Sequence, residues 1–70
     1  MSPEKMVMMA NQIATFFDSQ PGDPAAAIAD HLGDYWDPEM RRQLAAYVAE
    51  GGARLKPAVC AAVERLGARS

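Results

Sequence analysis

"HLGDYWDPEMRRQL", residues His31 to Leu44, decides how the chain is read, because it contains both a helix end and a helix start. Asp37-Pro38 is the start. The same arrangement recurs at Ser2-Pro3, Asp23-Pro24 and Lys56-Pro57, so four of the five prolines stand where a helix begins. At a first helical position the missing N–H costs nothing and the fixed φ already suits the helix. Asp23 and Asp37 can accept hydrogen bonds from first-turn amides, and they sit at the favourable, positive end of the helix dipole.

Outward from this anchor, Met6, Met9, Ala10, Ile13 and Phe17 recur at helical spacing, with Glu4, Met8, Asn11 and Thr15 on the opposite face. The first helix is expected from about Pro3 to Phe17. "DSQPGDP" (18–24) then breaks the chain with turn formers. The second helix turns Ala25, Ile28, Ala29 and Leu32 inward and is expected to end at Gly33 as a left-handed cap. The third runs from Pro38 with Met40, Leu44, Tyr47 and Val48 inward, until Gly51 and Gly52 stop it. The fourth starts at Pro57, carries Val59, Cys60, Val63 and Leu66 on one face, and is expected to stop at Gly67 before a frayed tail from Ala68. No strand-like alternation of useful length appears. The expected fold is all-α: one small domain over residues 1–70, a compact array of four short helices set orthogonally.

A chain of seventy residues buries only about 60% of its unfolded surface, and its own core supplies about 3–5 kcal/mol before staples or partners are counted. One cysteine and one histidine provide neither an internal disulfide nor a structural zinc site. The net charge of -2 and pI near 5.1 disfavour nucleic-acid binding, which needs clustered Lys and Arg against phosphates. The N-terminal run "MSPEKMVMMANQIATFF" is interrupted by Glu4, Lys5, Asn11 and Gln12, so neither a membrane span nor a secretory leader is expected. The expectation is a cytoplasmic protein with a reduced thiol.

Several residues resist a purely local account. Trp36 stands just before the cap, where a large side chain can pack back onto the helix it introduces; the alternative is an aromatic anchor for a partner. Its neighbour Tyr35 must point elsewhere, so one of the two reaches the surface. Arg41 and Arg42 lie in the first turn of the third helix, against the dipole. Glu39 is too close in sequence for a good helical pair, which leaves solvent, Asp34, Asp37 or a partner's carboxylate. Met8 falls on an otherwise polar face, a sign of a covered surface, within a cluster of Met6, Met8, Met9, Phe16 and Phe17 that could be core or an adaptable docking surface. His31 reads as a capping or surface histidine and Cys60 as a small core residue; no catalytic, metal-binding or cofactor-binding constellation appears.

Three segments are also familiar together: "MANQIATFF" (Met9 to Phe17), "IADHLGDYWDPEMRRQL" (Ile28 to Leu44) and "GGARLKPAV" (Gly51 to Val59). In this order and spacing the chain resembles the delta subunit of the soluble NAD-dependent, molybdenum- or tungsten-containing formate dehydrogenases of bacteria. Trp36, Asp37, Pro38, Met40 and Arg41 carry the most specific part of the likeness. The resemblance implies a non-catalytic accessory subunit without a redox centre or cofactor of its own. Its partners would be the catalytic alpha subunit, which holds the molybdopterin guanine dinucleotide cofactor and oxidises formate, and the flavin- and iron–sulfur-bearing subunits that pass electrons to NAD. A transient maturation factor for cofactor loading is the alternative. The residues expected at the interface are Met8, Tyr35, Trp36, Arg41 and Arg42, and an uncovered patch of this kind would lead the isolated chain to homodimerise.

Overall fold

The computed structural model describes residues 2–69 and contains four α-helices: α1 Pro3–Asp18, α2 Pro24–Tyr35, α3 Pro38–Ala49 and α4 Pro57–Arg69. Each begins at the proline expected to begin it. The Lys5 amide donates to Ser2 Oγ at 3.3 Å, the Ala25 amide to Asp23 Oδ1 at 3.1 Å, and the Met40 amide to Asp37 Oδ1 at 2.8 Å. Three of the four starts therefore carry a side-chain cap on an otherwise unpaired first-turn donor.

Helix ends depart from the sequence reading in two places. Gly33 does not cap α2, which continues through it to Tyr35 and closes with the Trp36 amide donating to Leu32 O at 3.1 Å. A glycine inside a helix costs about 1 kcal/mol relative to alanine. Burying a tryptophan returns more than that, roughly 3–5 kcal/mol by the cost of truncating one, and the two extra residues deliver Trp36 into the core at 6% exposure. Gly67 likewise does not stop α4, whose backbone stays helical to Arg69 where a frayed tail from Ala68 was expected; Ser70 lies outside the described residues. The Gly51-Gly52 stop is where it was expected. Both take positive φ, 121° and 61°, and their amides donate to Val48 O and Tyr47 O, pairing carbonyls that the end of α3 leaves open.

The core is built from Met6, Ala10, Ala14, Ile28, Ala29, Leu32, Trp36, Leu44, Val59 and Ala62. Alanines at 25, 29 and 62 keep the α2 and α4 faces low, and these two helices pack together more extensively than any other pair. Of the residues expected inward, Met9, Ile13, Phe17, Met40, Tyr47, Val63 and Leu66 form a half-buried shell around it. Val7 and Ala14, absent from the expected inward face of α1, are buried.

Candidate docking surface

Helix α1 leaves large apolar side chains outside. Met8, Gln12 and Phe16 fall on one i, i+4 row, and Met8 and Phe16 are each 58% exposed. Helix α2 ends with Tyr35, 76% exposed. An aromatic run joins the two helices: Phe16 meets Phe17 edge-on at 5.1 Å between ring centroids, Phe17 meets His31 at 6.0 Å, and His31 lies tilted against Tyr35 at 4.7 Å. His31 is thus half-buried, with one side in an aromatic stack and the rest at the surface.

Between α1 and α2 lies an open, mainly apolar groove of about 420 Å³, lined by Met9, Gln12, Ile13, Phe16, Phe17, His31 and Trp36; Met8 and Tyr35 stand outside it. Trp36 belongs to the core, and only its edge contributes to this groove. The sequence raised both roles, and the packing assigns most of the side chain to the first. Phe16 was legible in the methionine–phenylalanine cluster but was not among the residues expected at an interface; the signal was its position one residue off the inward register ending at Phe17.

Arg41 and Arg42 lie elsewhere, on a second groove of about 300 Å³ between α3 and α4, beside Pro38, Leu44, Val63 and Leu66. Arg42 Nη2 bonds Glu39 Oε2 at 2.8 Å, with both side chains largely in solvent. The expectation that Glu39 is too close for a helical pair is therefore corrected: it is too close to Arg41 but stands at i, i+3 from Arg42, a spacing that faces the two side chains. Arg41 is half-buried, and its Nε is shielded from solvent with no hydrogen-bond partner among the described residues. The five residues singled out by the sequence are thus not brought together: Trp36 lines the α1–α2 groove by its edge, Met8 and Tyr35 are exposed on α1 and at the end of α2 outside its lining, and the arginines line the other groove.

Arg65 on α4 holds the start of α2 by a 2.6 Å ion pair with Asp23. Desolvation works against the charged form of Asp23. The hydrogen bond and charge of Arg65, with the Ala25 and Ala26 amides, outweigh it and hold the carboxyl below its ordinary value. Cys60 is half-buried beneath Gly52 rather than within the core cluster. Among the described residues, no group of three or more His, Cys, Asp and Glu side chains is placed to hold a metal ion, and no helix is long and apolar enough to cross a membrane.

Fold and surface together define a class: a small all-helical domain that leaves large apolar and aromatic side chains around an open groove. The model of one family, the NADH-dependent formate dehydrogenase delta subunit FdsD, matches residues 5–63. The chain belongs to that family. No curated protein matches it.

Proposed function

We propose that the chain is a non-catalytic accessory subunit that binds the other subunits of a cytoplasmic NADH-dependent formate dehydrogenase and stabilises the assembled complex, docking through the α1–α2 face. One observation carries this reading: an apolar groove lined by Phe16 lies between α1 and α2, with Met8 exposed on the same row of α1 as Phe16 and Tyr35 exposed and stacked on His31 at the groove's edge, on a chain of a formate dehydrogenase subunit family. Aromatic and methionine side chains in such a setting are the usual anchors of a protein interface. Arg41 and Arg42 provide a secondary contact, since Arg42 already shares its charge with Glu39. The isolated chain covers the same face by self-association, which the partner displaces.

The test is a titration of the chain into formate dehydrogenase prepared without its delta subunit. The triple variant Met8→Ser, Phe16→Ser, Tyr35→Ser should keep its helicity and bind at least roughly 100-fold more weakly, as the loss of several anchor side chains implies. Wild-type affinity in the variant would refute the docking face. Binding confined to the cofactor-free enzyme, with release from the active one, would replace the stable-subunit reading with a transient role in cofactor loading.

A further inference from the structure

The side of α1 turned away from the core carries a row that is symmetric about its middle. Lys5, Met8, Gln12, Phe16 and Ser19 are all exposed, and at 3.6 residues per turn they centre on Gln12, opposite the buried Met6, Val7, Ala10 and Ala14. Met8 and Phe16 flank Gln12 at equal spacing, and each is 58% exposed. The Gln12 side chain makes no hydrogen bond with any described residue. Helix α1 also has an acidic residue in its first turn and no basic residue in its last, so its negative dipole end, with Asp18, lacks a cation of its own.

A second copy of the same helix, laid antiparallel, supplies what each position lacks. Met8 meets the ring of the partner's Phe16 on both sides of the axis, a contact thioethers favour. Gln12 meets the partner's Gln12, and an amide that both donates and accepts pairs with its own image. Lys5 reaches the C-terminal end of the partner's α1, where a cation is missing. Every contact occurs twice, as a two-fold interface requires, whereas a parallel pair would bring like dipole ends and both Lys5 side chains together. We propose that a second copy of the chain covers this row in the free subunit: two α1 helices pair antiparallel across a two-fold axis at Gln12, and the pair must part before either copy enters the enzyme. The last clause rests on the subunit reading, because Phe16 also lines the α1–α2 groove and cannot serve both. A helix of 16 residues is about 24 Å long. One face of it buries less than the roughly 800 Å² per partner of a stable interface, so the pair is weak and parts on dilution.

Sedimentation of the free chain from micromolar to millimolar concentration should show monomer passing to dimer, with no larger species. Gln12→Glu sets two carboxylates against each other and should raise the dissociation constant at least roughly tenfold, with the Tm of the dilute chain unchanged. Facing Cα atoms of helices packed about 8–10 Å apart come within disulfide reach. Gln12→Cys in a Cys60→Ala chain should therefore oxidise to a covalent dimer, while Glu64→Cys, exposed on α4, should not. That covalent dimer should bind formate dehydrogenase lacking its delta subunit at least roughly tenfold more weakly than its reduced form. A wild-type chain that stays monomeric at millimolar concentration, a Gln12→Glu chain that dimerises like wild type, or equal cross-linking at both cysteine positions overturns the pairing and leaves the subunit reading intact. Equal binding by oxidised and reduced forms overturns the claim that the pair must part. Failure of the wild-type and reduced chains to bind the enzyme at all overturns the subunit reading, and the sedimentation result then decides the pairing by itself.

Discussion

Replacing Asn11 by alanine removes two hydrogen bonds that tie α1 to a loop more than forty residues away. The bond to Arg54 O is exposed and that from the Lys56 amide is partly buried. Net contributions of about 0.5 and 1 kcal/mol follow from the usual range for such bonds. Alanine returns about 0.5 kcal/mol through its better helix propensity. The expected loss is therefore about 1 kcal/mol, which for a domain of this size lowers Tm by roughly 4–8 °C. Denaturant unfolding followed by circular dichroism should show a lower midpoint with an unchanged slope, since the buried surface is the same. Amide hydrogen exchange gives the local readout: Lys56 N–H should lose protection while Ile28 and Leu32 exchange at rates set by global stability. Asn11→Asp should not rescue, because a carboxylate can accept from Lys56 but would face the Arg54 carbonyl without a proton to donate. A Tm within about 1 °C of wild type, with Lys56 still protected, would refute the role given to Asn11 as the clamp of this loop.

The Asp23–Arg65 pair gives a pH prediction. The carboxyl pKa is depressed on folding, so its stabilisation is complete above the ordinary value near 3.8 and disappears as pH falls through the folded value. Asp23→Asn keeps a good N-cap and loses the charge, so Tm should drop slightly at neutral pH and the acid limb below about pH 4 should flatten; an unaltered acid limb would assign no role to the pair. Gly52→Ala puts a side chain at φ 61° with its Cβ 3.1 Å from Cys60 Sγ, and should destabilise by roughly 1–2 kcal/mol in thermal unfolding. Pairing it with Cys60→Ala should recover only the steric share, and full recovery would show that the backbone conformation is not strained.

The helix starts were legible because everything that specifies them is local: Asp37 caps an amide three residues away, and Pro38 suits the first turn by itself. The helix ends at Gly33 and Gly67 were not, because a glycine ends a helix only when nothing beyond it has a better place inside. Trp36 had such a place, and its burial sets the end of α2. Long-range pairing was equally hidden. Asn11 reads as one polar residue on the outer face of α1, and its partners emerge only once α3 has turned the chain back past it. The exposed face was half legible. Met8 was conspicuous by its polar neighbours and Tyr35 by its adjacency to Trp36, whereas the left-handed conformation of Arg54, at φ 71°, has no signature in sequence, since "GGARLKP" marks a turn without saying which residue takes positive φ.

The same features explain why this domain suits life in a complex. Its close α2–α4 contact depends on alanine, which permits approach but buries little apolar area per residue. Met8, Phe16 and Tyr35 remain outside, so three of the larger apolar or aromatic side chains add little to the free fold. A core of this size sustains only a few kcal/mol. Binding at 100 times Kd adds about 2.7 kcal/mol to the bound form, a quantity comparable with the whole intrinsic stability. Truncating the exposed anchors should therefore affect the free chain little and the assembled one greatly, the reverse of the pattern for Trp36 or Leu44. Where Tm tracks the concentration of partner, the fold of the subunit and its place in the enzyme are governed by one equilibrium.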